Sequence, residues 1–152
     1  MELLKIGDQV PKFSCLDDKE NLITSDSLLG KKTIMFFYPK ANTPGCTAQA
    51  CNLSENFSSL TEQGFSIIGV SADKIKSQSS FSSKFGGFPY PLLADTEKKV
   101  INSFGVWGRK KFMGKEYDGI LRTTFIIDEN LKIIRVIDKV KTKDHTKQIL
   151  ED

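Results

Sequence analysis

The chain has 152 residues, 39% of them hydrophobic and 27% charged, with a formal net charge of +3. That length suits one domain, residues 1–152, with a proper core, and the charge is too weak to argue for nucleic acid. No apolar run approaches the ~20 residues of a membrane span, and Met1 to Lys5 lack the apolar stretch of a signal peptide. Three cysteines without such a leader point to a reducing compartment, by default the cytoplasm, where thiols are free, catalytic or metal-bound.

In chain order, Phe13 to Leu16 and Asn21 to Thr24 read as short strands joined by the turn Asp17-Asp18-Lys19-Glu20, an N-terminal β-hairpin. Ser25-Asp26-Ser27 suits a short turn ending at Gly30. Thr33 to Tyr38 is apolar on both faces, as in a buried central strand. A helix pattern runs from Pro44 to about Gln63, with Cys46, Ala50, Leu53, Phe57 and Leu60 on one stripe, and Gly64 ends it. Phe65 to Ser71 reads as the next central strand, completing a right-handed βαβ unit. A serine-rich helix over residues 74–85 is anchored by Phe81 and Phe85. Pro91 to Ala94 is extended, and Asp95 opens a helix through about Phe104. Gly105 to Gly119 reads as a loop that holds Trp107, expected to pack against the helix that starts at Pro44. Ile120 to Asp128 and Lys132 to Asp138 form a hairpin, and Asp144 caps a last helix over residues 145–152. The sum is an α/β domain, a central mixed sheet flanked by helices.

The most informative stretch is Pro39-Lys40-Ala41-Asn42-Thr43-Pro44-Gly45-Cys46-Thr47-Ala48-Gln49-Ala50-Cys51. Thr43 suits the N-cap, its hydroxyl accepting from a free amide, and Pro44 suits the first helical position. Cys46 then lies in the first turn, where unpaired amides and the helix dipole favour negative charge, and so the reactive thiolate. Taken alone, it also fits a small buried hydrophobe on the apolar stripe. Five residues on, Cys51 points roughly 140° away with about 7.5 Å of rise. A disulfide needs Cα atoms within about 7 Å, so in an intact helix the two cannot bond. If they bond during function, the first turns must unwind. Cys51 lies on the side of Glu55, Ser58 and Glu62, which suits a surface residue better than a core one.

From Tyr38-Pro39 to Cys51 the chain resembles the P-x-x-x-T-x-x-C signature of peroxiredoxins. The spacing C-x-x-x-x-C is similar to that of the bacterioferritin comigratory protein, or Q-type, subfamily. So are Phe104 to Gly108, Phe112-Met113-Gly114-Lys115 and Tyr117 to Arg122. The resemblance covers essentially the whole chain and implies a thioredoxin-like fold. It implies thiol-dependent reduction of hydrogen peroxide and organic hydroperoxides, without metal or organic cofactor, as antioxidant defence. By this likeness Cys46 is the peroxidatic cysteine and Cys51 the resolving one, joined in an intramolecular disulfide that thioredoxin or a similar dithiol reduces. Thr43 hydrogen-bonds the peroxide, Pro39 shields the sulfur and Arg122 sits beside it. A monomer is implied too. Position 49, often Glu in the family, is Gln here.

Alone, Pro39 could simply end a strand, and Arg122 could be a surface residue on an edge strand. Cys15, with no helix start beside it, reads as structural. His145 reads as solvent-exposed and lacks partners for a Cys/His dyad or a zinc site. The basic runs Arg109-Lys110-Lys111 and Lys139 to Lys147 read as solvated faces. A thioredoxin-type oxidoreductase would use C-x-x-C, which the chain lacks. A redox sensor or metal-binding module would need a better ligand set than two cysteines and a distant histidine.

Overall fold

The computed structural model describes residues 2–151. The chain opens with a hairpin of β1 (Ser14–Leu16) and β2 (Leu22–Thr24), then runs through β3 (Lys32–Phe37), α1 (Pro44–Glu55) and α2 (Phe57–Glu62). It continues with β4 (Phe65–Ser71), α3 (Ile75–Lys84), β5 (Leu92–Ala94) and α4 (Lys99–Ser103). A second hairpin, β6 (Trp107–Phe112) and β7 (Lys115–Ile120), precedes β8 (Thr123–Ile127), β9 (Ile133–Ile137) and α5 (His145–Leu150). The central sheet has the order β5-β4-β3-β8-β9. β3, β4 and β5 run parallel, while β8 and β9 are antiparallel to their neighbours.

Period-2 alternation along β3 divides the core between two sides of the sheet. Ile34, Phe36 and Tyr38 face a cluster with Cys46, Ala50, Leu53, Phe81 and Ile149, drawn from α1, α3 and α5. Met35 and Phe37 face the other cluster, with Val100, Ile101 and Phe104 around α4. Both faces are therefore covered, which is why the strand carries no polar face. On β4, Gly69 leaves room for aromatic rings: a Cβ there would come within 2.8 Å of the Phe36 ring and of Leu92. That space lets Phe36 stack on Tyr38 at 5.4 Å between centroids.

The structure redraws several expected elements. The helix expected to run from Pro44 to Gln63 breaks at Asn56, whose side-chain amide donates to the Asn52 carbonyl at 2.8 Å. Asn competes in this way with the helical ladder. The loop expected between Gly105 and Gly119 is the β6–β7 hairpin, turned by Met113 (φ 52°) and Gly114 (φ 82°), the positive pair that a two-residue turn demands. The strand expected from Ile120 begins only at Thr123, because Ile120 belongs to the preceding hairpin. The helix expected from Asp95 starts at Lys99; the Asp95 carboxylate accepts from the Ile101 amide at 2.7 Å.

Trp107 does not pack against α1. It lies against the cluster on the other side of the sheet, with the Lys98 ammonium 4.8 Å from its ring centre. His145, expected in solvent, is fully buried. Its Nε2 meets the Thr124 hydroxyl at 2.8 Å and its Nδ1 meets Gln148 Oε1 at 3.0 Å. Gln148 Oε1 can only accept, so Nδ1 carries the proton and Nε2 accepts from Thr124. Burial, the leading cause, holds this imidazole neutral, lowering its pKa to about 4. Asp144 precedes α5 without a side-chain cap; the Thr146 amide is instead received by Asn52 Oδ1 at 2.7 Å. Asp152, included in the expected last helix, lies outside the described residues, as does Met1.

Candidate active site

β3 delivers the chain to Pro39, half-buried beyond the strand end. A buried polar network fixes the loop that follows. Tyr38 donates to Gln78 Oε1, Gln78 Nε2 donates to the Ser71 hydroxyl at 2.9 Å, and Ser71 donates to Asp73 at 2.6 Å. The same Asp73 carboxylate receives the Ala41 amide at 2.7 Å, so the loop entering α1 is anchored to the end of β4. This tie is between residues 32 positions apart, and no local pattern announces it.

Thr43 has the extended backbone of an N-cap, and its carbonyl accepts the first helical bond, from Thr47 at 2.8 Å. Its side chain does not cap, contrary to expectation. The hydroxyl donates to the Lys40 carbonyl at 2.8 Å, closing the loop on itself. With its proton so engaged, the Thr43 oxygen is left as an acceptor. Gly45 and Cys46 precede the first helical bond, so their amides lie outside the ladder at the positive end of the dipole.

Cys46 is 1% exposed and faces the core side of α1. Arg122, between β7 and β8, reaches it: Nη2 lies 3.4 Å from Sγ, while Nη1 donates to Gln49 Oε1 at 2.8 Å. Gln49 is fully buried one turn after Cys46. Its neutral amide orients the guanidinium without neutralising it, and its Nε2 has no partner among the described residues. A Cβ on Gly45 would stand 3.1 Å from Arg122 Nη2, so glycine there lets the cation approach the helix. Lys110 of β6, expected on a solvated face, is half-buried. Burial, then Arg122, lowers its pKa, and Cys46 pulls the other way, which puts a second cation within electrostatic range of the sulfur.

The fold thus gathers Cys46, Gln49 and Arg122 from α1 and the β7–β8 connection, with Thr43 at the helix entrance. Cys51 stands apart, half-buried on the same helix, and the thiols are free. Burial first, then Glu55, raises the Cys51 pKa. Cys15 lies across the molecule in a broad groove lined also by Lys76, Asp95 and Lys99. Burial and then Asp95 push its thiol up to about 11. Gln49 was legible only as a departure from a familiar pattern; Gly45 and Lys110 carried no signal of their own.

The AhpC/TSA family matches residues 6–136. The chain is 43% identical to peroxiredoxin Bcp of Escherichia coli over 150 residues, 99% of this chain and 96% of that one. The chain belongs to the AhpC/TSA family, among the Bcp peroxiredoxins. Its fold matches the crystal structure of peroxidoxin BcpB from Mycobacterium tuberculosis with a TM-score of 0.83 and 33% identity, covering 95% of this chain and 93% of the other. It also matches the Xanthomonas campestris bacterioferritin comigratory protein, studied for alkyl peroxide reduction. There the TM-score is 0.84 at 30% identity, over 91% of this chain and 87% of the other. This peroxiredoxin is a thiol-dependent peroxidase with the thioredoxin-like architecture of its relatives. No helix among the described residues is long and apolar enough to cross a membrane.

Proposed function

We propose that residues 1–152 act as one monomeric cytoplasmic domain that reduces hydrogen peroxide and alkyl hydroperoxides through Cys46. The observation that carries this reading is the Arg122 guanidinium 3.4 Å from the Cys46 sulfur at the mouth of α1. The thiolate attacks one peroxide oxygen. An S–O bond forms and the O–O bond breaks, so sulfur is oxidised and peroxide reduced. The departing oxygen takes a proton and leaves as water or alcohol. Arg122 and the first amides of α1 stabilise the charge that builds on that oxygen. The Thr43 oxygen accepts from the hydroperoxide O–H, and Pro39 limits water at the sulfur.

Cys46 is left as a sulfenic acid. The Cys51 thiolate then attacks that sulfur; an S–S bond forms, the S–O bond breaks, and the oxygen leaves as water. A dithiol of thioredoxin type returns both cysteines to thiols by two exchanges. The test is peroxide consumption with thioredoxin, thioredoxin reductase and NADPH. Cys46→Ser should abolish turnover, and Cys51→Ser should keep one oxidation per chain while losing recycling. Turnover retained by Cys46→Ser would exclude it as the nucleophile.

A further inference from the structure

Cys51 is flanked by two residues tied to parts of the chain outside α1. Before it, the Ala50 carbonyl accepts the Tyr90 hydroxyl at 2.7 Å, in the interior. After it, the Asn52 side chain bridges to the segment that opens α5. Its Nδ2 donates to the Lys143 carbonyl at 3.0 Å and its Oδ1 accepts the Thr146 amide at 2.7 Å. The Thr146 hydroxyl reaches back to the Asn52 carbonyl at 3.4 Å, and that carbonyl also receives both nitrogens of Asn56. Asn52 thus supplies the cap that Asp144 does not.

The start of α1 is held differently. Among the described residues from Pro44 to Gln49, the side-chain hydrogen bonds are the two that Arg122 makes, to Cys46 and to Gln49. Both run through one side chain, and oxidation of the sulfur alters one of its two acceptors. The helix therefore has a loosely held beginning and a clamped middle, and the border falls at Cys51.

We propose that Asn52 is a positioning residue for the resolving step, ending the unwinding of α1 at Cys51 so that Cys51 stays in place and Cys46 travels to it. This rests on the assignment of Cys51 as the thiol that closes the disulfide. In the intact helix the two Cα atoms differ by about 7.5 Å in rise alone, so one partner must move. The clamps on residues 50 and 52 decide which. A fixed Cys51 keeps the effective concentration of the resolving sulfur high.

The experiment follows the two steps separately. Reduced protein is mixed with one equivalent of hydrogen peroxide and quenched at intervals with dimedone or N-ethylmaleimide for mass spectrometry. Amide exchange is measured on the reduced and disulfide forms. In Asn52→Ala, oxidation of Cys46 should proceed as in wild type while disulfide closure slows by up to about 10²-fold, the scale expected when a reacting group loses its placement. Asn52→Asp keeps the acceptor for Thr146 and should recover part of that loss. In oxidised wild type the amides of Ser54, Glu55 and Asn56 should stay protected while those of residues 47–49, hydrogen-bonded in the reduced form, exchange. Closure unchanged or faster in Asn52→Ala, or protection lost at residues 54–56 in oxidised wild type, overturns the proposal. The wild-type exchange pattern decides alone if Asn52→Ala does not fold. A wild type whose Cys46 stays unoxidised, or bridges to Cys15, removes the underlying assignment and the proposal together, and the quench distinguishes that failure.

Discussion

Cys46 and Cys15 are both drawn into the protein, and they differ in the company each sulfur keeps. Burial opposes charge on either one. Cys46 has the Arg122 guanidinium at 3.4 Å and the open amides of a helix start. Cys15 lies mid-strand, its thiol directed at the Leu16 carbonyl at 3.6 Å, with Asp95 and Asp17 adding negative charge. One site compensates the penalty of desolvation and the other compounds it. On the proposed function, the sign of the neighbouring charges outweighs exposure, and the more buried sulfur is the better-placed nucleophile.

The largest effect expected is the removal of each sulfur in turn. Cys46→Ser should lower peroxide consumption by roughly 10³-fold or more, and Cys15→Ser should change it by less than about twofold. A steady-state assay on the two variants compares them directly. Next, Arg122→Ala should make the Cys46 setting more like that of Cys15, slowing its oxidation by about 10²-fold, as for loss of a donor aimed at developing charge. Rapid-mixing kinetics with one equivalent of peroxide measures it.

Gln49→Glu should act more gently. A carboxylate there gives Arg122 a second anion to serve, and thiol oxidation at neutral pH should slow by about threefold to tenfold. No slowing would mean that the neutral amide is incidental. A third buried titratable group carries the comparison over to stability, because there burial alters stability rather than reactivity. The His145 pKa is about 4 in the folded chain, against about 6.5 for an unperturbed histidine. Between those values the unfolded chain binds a proton that the folded chain does not, so stability falls as pH drops through that window. The loss is on the order of 2–3 kcal/mol. Urea titrations at pH 7, 5.5 and 4.5 should show it, and His145→Gln should flatten the trend.

Much of this was legible along the chain because it is local. The apolar run from Thr33 to Phe37, the Thr43-Pro44 helix start and the Cys46 position follow from periodicity and from what each residue can do with its own backbone. The β6–β7 hairpin was missed because its strands are charged and its turn, Met113-Gly114, lacks the usual Asn or Asp. His145 was misplaced because a polar residue near a chain end gives no hint of Thr124, 21 positions earlier, which receives it. The Arg122–Gln49 pair spans 73 positions and the Asn52–Thr146 bond spans 94. Contacts at such separations are decided by topology, and no window of sequence contains them.

The two-sided sheet has a last consequence. From residues 44–49, only Cys46 contributes a side chain to the apolar cluster beneath α1, so lifting that segment uncovers roughly 1–2 kcal/mol of hydrophobic contact. The opposite cluster draws nothing from it. On the proposed mechanism, the corner that comes apart at each turnover can thus do so while the remaining architecture stays shut, much as a hatch opens without disturbing the hull.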